Sequence, residues 1–345
     1  MALPTTMKVV HQPDPHSTSL VLEESPLPSP TPPHNYLIRV LAASPCLNEL
    51  NWEAWFPDFF PENRERVPCT ECSGVVVSAV APDDGEPAFL PGDEVFFRAS
   101  PSSTGSLREY TVAQGAWMAR KPARLDWAEA AATPLSSLTA YQGLFEHGGV
   151  DRAALRGDED AREGNSGLRV LVAGAGGGVG SWAVQLAVAA GVGSVVAVCG
   201  PSKVADVAKL GPAGQLEVVD YSVQSLESWA SGREADCDLV LDCAGGATLA
   251  ACWAAVREGG RLFSVVAGPD EARPEAYVGK KLARSEFFLV RPDGTDLADV
   301  ARLVDEGRCF PWVDSVFEFA DFEKAFKKVE GKGCKGKVVI KVAAQ

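Results

Sequence analysis

The chain up to about residue 127 alternates short β-prone runs with turn-forming residues. Four such runs are LIRVLAAS (37–44), SGVVVSAV (73–80), DEVFFRA (93–99) and REYTVA (108–113). Pro, Gly, Asp and Ser separate them, and this pattern predicts strands joined by turns. A Pro-rich stretch at 25–33 is interpreted as an extended connector between two strands. This part of the chain is therefore predicted to be a partly open all-β unit.

From about residue 127 the pattern changes to helical segments that alternate with continuous apolar runs. A helix is predicted over 126–145 with Asp126 as its N-cap, and the charged segment 151–167 is predicted to be a solvated surface loop. Predicted strands follow at 168–174, 194–199, 217–220, 238–244, 261–266 and 286–290, with helices from Val179 and over 203–210. Continuous Val and Leu runs spaced by helices indicate βαβ units and a parallel sheet covered on both faces.

The C-terminal part adds two helices, at 295–307 and 321–330, and two strands, at 312–319 and 336–342. The terminal strand is separated from the parallel block by this helix pair. We therefore expect that it could return to complete the N-terminal β unit.

Composition and charge narrow the class of protein. Hydrophobic residues make up 46% and charged residues 23%, and the mean hydropathy is near zero, as in soluble globular proteins. No apolar run approaches the roughly 18 residues of a spanning helix, so no membrane insertion is expected. The net charge of −14 repels nucleic acid and anionic membranes. The N-terminus has no basic cluster followed by an apolar core, so a cytoplasmic address is expected. The nine cysteines are expected to be reduced thiols.

The strongest chemical signal is VLVAGAGGGVGSWAVQLA at 170–187. A buried strand ends at Gly174, a turn of small residues follows, and a helix starts at once. The strict G-x-G-x-x-G string fails, because the spacing is Gly174-x-x-Gly177-x-x-Gly180. A strand before the turn and a helix after it nevertheless provide the context of a dinucleotide site, in which glycines let the backbone approach a pyrophosphate at the helix N-terminus.

The segment after the next strand indicates which nucleotide binds. NAD sites place an acidic residue about 20 positions on, where it takes the ribose hydroxyls. Here the second strand is followed by Ser202 and Lys203 instead. A hydroxyl and an ammonium can hold a 2′-phosphate that a carboxylate would repel, so NADP(H) is the predicted cofactor. The alternative is that Lys203 only opens a surface helix.

These segments carry a family resemblance. The block from VLVAGAGGGVGSWAVQLA through CGPSKVADVAKLG, CDLVLDCAGG and REGGRLFSVVAG resembles the zinc-independent quinone oxidoreductase and enoyl reductase branch of the medium-chain dehydrogenase/reductase superfamily. PGDEVF (91–96), LREYTVA (107–113), AAATPLSSLTAYQGL (130–144) and GCKGKVVIKV (333–342) occur in the family order, so the resemblance covers nearly the whole chain. The ELNW at 49–52 and the overall layout are similar to fungal secondary-metabolite enzymes, including enoyl reductases that serve polyketide synthases.

The resemblance implies an α/β fold with two domains. A GroES-like, β-rich catalytic domain at 1–128 is completed by 292–345, and a Rossmann domain with a doubly wound parallel sheet binds NADP at 129–291. The implied reaction is hydride transfer from NADPH to an α,β-unsaturated carbonyl or a quinone, with a proton delivered to the product.

The resemblance also implies the residues that contact the cofactor. Gly174, Gly177, Gly178 and Val179 would lie beside the pyrophosphate. The 2′-phosphate would be surrounded by Ser202, Lys203, Tyr221 and Lys332. The nicotinamide would be flanked by Thr139, Val266, Ala267, Phe288, Leu289 and Val290, and Cys46 is assigned to the same cofactor site.

No metal is expected. Zinc-dependent relatives use a Cys after the first long strand, a His in a Gly-His-Glu string and a third ligand near the helix before the nucleotide fold. Cys46 stands at the first place, but Thr70 stands where the His belongs. Cys46 and Glu71 alone cannot supply the three ligands of a catalytic zinc. Cys69 and Cys72 have C-x-x-C spacing but precede a strand, so they are predicted to be buried, inert thiols.

The proton donor is left open at this stage. Relatives use a polar pair in the segment after the first long strand, where this chain has SPCLNELNW. Asn51, Glu49, Asn48 or a bound water is the candidate catalytic group, or these residues only fix a turn. Five nearby aromatic residues form either a pocket wall or a satellite core cluster: Trp52, Trp55, Phe56, Phe59 and Phe60.

The sequence therefore predicts an NADPH-dependent, zinc-free reductase acting on a small-molecule enone or quinone. One alternative is a trans-acting enoyl reductase that docks on a polyketide synthase, and an exposed apolar patch would favour it. Another is a non-catalytic protein that binds NADPH. Both a monomer and a homodimer remain open.

Overall fold

The β-prone runs near the N-terminus form a mixed sheet in the computed structural model, which describes residues 3–32, 36–80, 87–231 and 236–343. They belong to unit 1, which consists of Met1–Leu135, Arg291–Asp305 and Pro311–Gln345. Numbered in chain order, its strands are β1 Thr6–His11, β2 Val21–Pro26, β3 Tyr36–Ser44, β4 Glu71–Ala79, β5 Glu94–Arg98, β6 Tyr110–Ala113, β7 Met118–Arg120, β14 Val313–Glu318 and β15 Lys337–Lys341. Its helices are α1 Trp52–Trp55, α2 Trp127–Ala131, α9 Gly294–Asp305 and α10 Phe322–Glu330.

The sheet of unit 1 joins both ends of the chain. Its strand order is β14-β15-β3-β4-β5-β7, with β6 beside β3, while β1 and β2 form a separate hairpin. The terminal strand thus returns to the N-terminal unit, as the sequence predicts. β3 is buried along nearly its whole length because both of its faces are covered. Ala128 and Ala131 of α2 and its C-cap residue Ala132 pack in one cluster with Ala42 of β3.

Unit 2 consists of Ser136–Val290 and Glu306–Phe310 and contains the parallel sheet. Its strands are β8 Arg169–Ala173, β9 Ser194–Cys199, β10 Leu216–Asp220, β11 Cys237–Asp242, β12 Val256–Ser264 and β13 Arg284–Phe287. Its helices are α3 Pro134–Tyr141, which begins in unit 1, α4 Glu159–Ser166, α5 Gly178–Ala189, α6 Val204–Val207, α7 Leu226–Ser231 and α8 Gly246–Ala255. The domain bounds predicted from the sequence, 1–128 with 292–345 and 129–291, stay a prediction.

The sheet of unit 2 is doubly wound. All neighbouring strands run parallel in the order β10-β9-β8-β11-β12-β13. The order reverses between β8 and β11, and ligands of such sheets bind outside the carboxyl ends of the strands at this point. The fold is therefore the GroES-like and Rossmann combination that the resemblance implies.

Several predicted elements differ from the structure. The helix predicted over 126–145 is capped by Asp126, with a reciprocal bond from Glu129, but it breaks before Pro134, whose ring cannot continue a helix. The predicted helix over 203–210 is also broken, into α6 and two short 3-10 turns. The Pro-rich connector joins β2 to β3 over its described part, and Pro33 lies outside the described residues.

Two further predictions are wrong. The charged segment 151–167 is not a loop, because Asp151 and Asp158 cap a 3-10 turn and α4. The strand predicted at 286–290 ends at Phe287, so Phe288 and the two residues after it lie beyond it.

Candidate functional site

The phosphate loop of unit 2 connects β8 to α5. Gly174 follows β8 with a φ of 79°, a left-handed conformation that glycine adopts without strain. Gly177 is the N-cap of α5, and Gly178 and Val179 form its first turn. The loop therefore presents the free N–H groups of a helix start at the carboxyl edge of the sheet, as a pyrophosphate requires.

Gly180 explains why the motif is shifted from the usual spacing. A Cβ at this position would lie 2.2 Å from the Gly174 carbonyl oxygen. The helix can pack this closely on the loop only because no side chain is present. Gly180 thus has the role of the glycine that brings helix and strand together in dinucleotide sites.

The structure brings together three of the residues predicted for the 2′-phosphate. Ser202 and Lys203 lie in the 3-10 turn that follows β9. Lys203 packs along the phosphate loop, since a Cβ on Gly176 would lie 2.3 Å from its Cδ. The Tyr221 hydroxyl lies against Gly200, 2.7 Å from where its Cβ would be, and the ring is 58% exposed.

The acidic residue that precedes Tyr221 in the chain is already engaged. Asp220, the last residue of β10, accepts hydrogen bonds from the Ser222 backbone N–H at 2.9 Å and hydroxyl at 2.7 Å. No acidic residue follows β9 in the 3-10 turn at 201–203. This corner of unit 2 therefore offers an ammonium and two hydroxyls.

The residues predicted to flank the nicotinamide fall into two groups. Val266 and Leu289 are 51% and 58% exposed, and Ala267 is also exposed. Phe288 is buried, with its ring centroid 4.5 Å from that of His147. Thr139 is buried inside α3, and Val290 is partly buried. Only the exposed group is open to a ligand in this structure, and the assignment of all six to the nicotinamide stays a prediction.

Unit 1 contains a buried ion pair at its polar centre. Lys337 Nζ lies 2.9 Å from Glu71 Oε1, and the Glu71 side chain is 0% exposed. The same ammonium donates to the Pro45 carbonyl at 2.8 Å, and the Leu135 N–H donates to Glu71 Oε2 at 2.7 Å. Burial lowers the pKa of Lys337, but the charge of Glu71 more than offsets this and the pKa is raised. Lys337 is therefore a cation at neutral pH.

Arg98 adds a second buried cation. It lies directly across the β4–β5 ladder from Glu71 and is only 3% exposed. Its Nε and Nη1 have no hydrogen-bond partner among the described residues. Burial lowers the pKa of Arg98 to about 10, so it remains charged at neutral pH. Sequence reasoning missed both cations, because strand pairing alone brings Arg98, Lys337 and Glu71 together.

Glu49 lies beside this centre with its carboxylate fixed by two backbone groups. Glu49 Oε2 accepts from the Cys46 N–H at 3.0 Å, and Oε1 accepts from the Thr70 N–H at 3.1 Å. Burial raises the pKa of Glu49 to about 7, although the backbone bonds and the charge of Lys337 act in the other direction. Burial also raises the pKa of Cys46 to about 11. Glu49 is thus a carboxyl group that exchanges a proton near neutral pH.

The other candidate catalytic residues are neighbours of Glu49 in the chain but have different surroundings. Glu49 lines a small cavity of about 20 Å³ together with Trp52, Phe60 and others. Asn51 lines a different groove, of about 560 Å³, which α10 also borders. Asn48 has a left-handed φ of 60°, and its N–H donates to Glu330 at 2.8 Å. Asn51 and the backbone of Asn48 therefore lie beside α10.

Lys332 and the aromatic group can also be placed. Lys332 lies in the turn after α10, with a φ of 55°, and its predicted contact with the 2′-phosphate stays a prediction. Three aromatic side chains are more than half exposed: Trp55, Phe56 and Phe59. The expected satellite core is therefore not formed by these three.

The residues present do not fit a zinc ion. Thr70 replaces a histidine, and the ammonium of Lys337 and the guanidinium of Arg98 surround Glu71 where a divalent cation would be repelled. Within the described ranges, no three His, Cys, Asp or Glu side chains are grouped closely enough to hold a metal. The predicted burial of Cys69 and Cys72 is confirmed, because both are 0% exposed, and their inertness stays a prediction. Burial raises the pKa of Cys72 to about 12.

Comparisons with known proteins agree with this fold. The family model described as "Zinc-binding dehydrogenase" matches residues 213–340. The "Probable zinc-binding oxidoreductase, mitochondrial" of Arthroderma benhamiae is 39% identical over 99% of this chain and 98% of its own length. The "Chloroplast envelope quinone oxidoreductase homolog" of Arabidopsis thaliana is 30% identical over 92% of this chain and 93% of its own length.

These relatives correct one expectation. The cytoplasmic address is contradicted, because the first relative is named as mitochondrial and the second as a chloroplast envelope protein. The expectation was based on the lack of a secretory signal, whereas organelle transit peptides have a different, amphipathic and Arg-rich composition. No helix in the described part of the chain is long and apolar enough to span a membrane.

A comparison with solved structures also agrees with the fold described above. An alcohol dehydrogenase superfamily protein from Novosphingobium aromaticivorans superimposes with a TM-score of 0.80, at 24% identity, over 98% of this chain and all of that one. At this identity the match shows the fold alone. Together with the two relatives aligned along nearly the whole chain, it leads to one conclusion: this chain is an oxidoreductase of the medium-chain dehydrogenase/reductase superfamily and belongs to its quinone oxidoreductase branch.

Proposed function

We propose that the protein is an NADPH-dependent reductase that transfers a hydride to an α,β-unsaturated carbonyl or a quinone without a catalytic metal. The proposal rests chiefly on the corner of unit 2 where Ser202 and Lys203 form the turn after β9, Lys203 packs along the phosphate loop and Tyr221 packs against Gly200. A nucleotide site with an ammonium in place of a carboxylate favours a cofactor with a 2′-phosphate.

The residues of unit 2 bind and orient the cofactor. The α5 N-terminus receives the pyrophosphate, and the Lys203 ammonium pairs with the 2′-phosphate while the two hydroxyls donate to it. When bound, NADPH supplies a hydride from its nicotinamide ring to the substrate. Gly174 and Gly180 let the backbone of the phosphate loop come close to the pyrophosphate.

Glu49 of unit 1 supplies the proton in this proposal. Hydride addition to the β-carbon of an enone leaves a negative charge on the enolate, and a proton must reach the α-carbon. A carboxyl group with a pKa near 7 is suited to general acid catalysis at neutral pH. The buried cations Lys337 and Arg98 take the place of a metal ion in holding Glu71 as a carboxylate.

The test compares the two cofactors on a small quinone and a small enone. The wild-type protein is expected to oxidise NADPH with a higher kcat/KM than NADH. Lys203→Ala should lower kcat/KM for NADPH about tenfold or more, since the charge-assisted contact with the 2′-phosphate is lost. The kcat/KM for NADH should stay nearly unchanged, because NADH has no 2′-phosphate. Lys209→Ala is the matched control, because Lys209 lies on the same segment, is 72% exposed and pairs with Asp206.

Two outcomes would overturn the proposal. Tighter binding of NADH than of NADPH would refute the role of Lys203, and stoichiometric zinc in the purified protein would refute the metal-free centre. A protein that binds NADPH but turns over no quinone or enone would support the non-catalytic alternative.

One observation favours a second candidate, a trans-acting enoyl reductase that partners a polyketide synthase. Trp55, Phe56 and Phe59 are 54%, 55% and 59% exposed on one short segment, which is typical of a contact surface. This candidate predicts that an enoyl thioester on a carrier protein is reduced faster than the same thioester free in solution. Equal rates with the carrier-bound and the free thioester would exclude this candidate.

A further inference from the structure

Two neighbouring strands of unit 2 end in buried polar residues that face each other. Asp242 is the last residue of β11 and Ser264 is the last residue of β12, and they are direct partners across the parallel ladder. Both side chains are 0% exposed. The Ser264 hydroxyl donates to Asp242 Oδ2 at 2.7 Å. Neither residue is part of the cofactor contacts predicted from the sequence.

Asp242 holds the loop that follows its own strand. Its Oδ1 accepts from the Ala244 N–H and the Gly245 N–H, each at 3.1 Å, and Oδ2 lies 3.1 Å from the same Gly245 nitrogen. The carboxylate therefore receives donors from two backbone groups and one hydroxyl. Gly245 and Gly246 have φ values of 71° and 55°, so this loop has a conformation that needs to be held.

Ser264 extends the same connection to the next loop. Its hydroxyl oxygen accepts from the Val266 N–H at 3.0 Å and the Ala267 N–H at 3.3 Å. The two loops also touch, since a Cβ on Gly245 would lie 2.6 Å from Val266 Cγ1. Asp242 thus fixes the loop at 243–246 directly and the loop at 265–267 through Ser264.

A carboxylate is required at position 242 by the donors around it. All three groups that face it are donors, namely two N–H groups and one hydroxyl. A carboxylate only accepts, whereas the amide of an asparagine would turn an NH₂ group toward one of these donors. A buried donor left without an acceptor costs more than the bond itself contributes.

We propose that Asp242 is a positioning residue for the nicotinamide half of NADPH, acting through Ser264 on the loops after β11 and β12. This inference rests on the proposed function. The phosphate loop follows β8, and the Lys203 corner lies on the β9 side of it. In a doubly wound sheet a dinucleotide lies across the point where the strand order reverses, so its other half lies over the ends of β11 and β12.

The test separates the two halves of the cofactor. Affinity is measured by fluorescence titration for NADPH and for the adenosine bisphosphate fragment that has the 2′-phosphate but no nicotinamide. Asp242→Asn and Ser264→Ala should each lower the affinity for NADPH about tenfold, since one or two hydrogen bonds are lost. Both variants should leave the affinity for the fragment unchanged. Lys203→Ala should weaken both ligands. Asp151→Asn is the control, because Asp151 caps a 3-10 turn at 152–156 and makes no hydrogen bond to either of these loops that the described structure shows.

The outcomes are distinct. Equal loss of NADPH and fragment affinity in both variants would overturn the proposal, and so would unchanged NADPH affinity. If Asp242→Asn does not fold, Ser264→Ala decides alone, because it removes only the hydroxyl. A wild-type protein that binds neither ligand would overturn the proposed function and this inference with it, whereas wild-type binding with unaffected variants would overturn this inference only.

Discussion

Replacing Lys337 by methionine tests the buried ion pair of unit 1. Methionine keeps most of the side-chain length but removes the charge that lies 2.9 Å from Glu71. Glu71 would then be a fully buried carboxylate that keeps the Leu135 N–H donor at 2.7 Å and faces Arg98 across the ladder. Removing one partner of a buried pair costs about 3 to 5 kcal/mol of the free energy of unfolding.

The assay is differential scanning calorimetry at pH 7. For a unit of this size 1 kcal/mol corresponds to about 2 to 4 °C in Tm, so the transition of unit 1 should fall by about 6 to 20 °C. The double variant with Glu71→Gln should lose less stability than the sum of the two single variants, because the two side chains belong to one contact and Arg98 is then the remaining buried charge of this centre. Lys341→Met is the control: Lys341 belongs to the same strand but is 53% exposed and lies 4.0 Å from Glu318. It should change stability by less than about 1 kcal/mol.

The reasoning would be refuted by two results. A loss of less than about 1 kcal/mol in Lys337→Met would mean that Glu71 does not depend on this cation. A double variant that loses the full sum of both single losses would mean that the two side chains are not coupled.

Two further predictions concern the proton and the nucleotide loop. The pKa of Glu49 is raised from 4.5 to about 7, so the protonated acid is favoured in the folded protein; the stability this provides at low pH is lost as the pH rises through that window. Measured against pH, the kcat of the wild type should fall above about pH 7 as Glu49 loses its proton. Glu49→Gln should lower kcat about 100-fold and abolish this fall at high pH. If kcat of the variant still falls above about pH 7, the assignment of Glu49 as the proton donor is contradicted. Gly180→Ala should weaken NADPH binding and destabilise unit 2 by about 1 to 3 kcal/mol, because its Cβ would lie 2.2 Å from a backbone oxygen. Gly164→Ala, with no atom within 4 Å of its Cβ, is the control in both binding and calorimetry, and an equal effect there would count against the packing argument.

The phosphate loop could be predicted from the sequence because its signal is local. A continuous apolar strand, closely spaced glycines and a helix start lie within 170–187. The helix at 159–166 was missed because its residues lack an apolar stripe and its stability comes from caps and from Asn165. That buried side chain donates to the carbonyls of Asp151 and Ala190, each at 2.9 Å. The aspartates that cap this segment were the available signal.

The polar centre of unit 1 could be predicted only in part. Glu49 and Cys46 were found because they stand in the segment after the first long strand. Arg98 and Lys337 were not, since their meeting with Glu71 depends on which strands pair and in which register. Arg98 follows two buried phenylalanines in β5. A charged residue in such a strand could have indicated a buried cation. Sequence alone also could not separate Asn51 from Glu49, which line different cavities.

The return of β15 to β3 has a consequence for the synthesis of the protein. The Ser44 hydroxyl donates to the Val338 carbonyl across 294 positions, and Lys337 lies beside it. A ribosome completes all of unit 2 before it adds this strand, so the nucleotide fold can form while the sheet of unit 1 still has an open edge. A premature stop codon shortly before Lys337 would therefore release a chain that can still bind nucleotide but exposes an unpaired strand and lacks a cation for Glu71. Such a product would be a target for proteases and for aggregation.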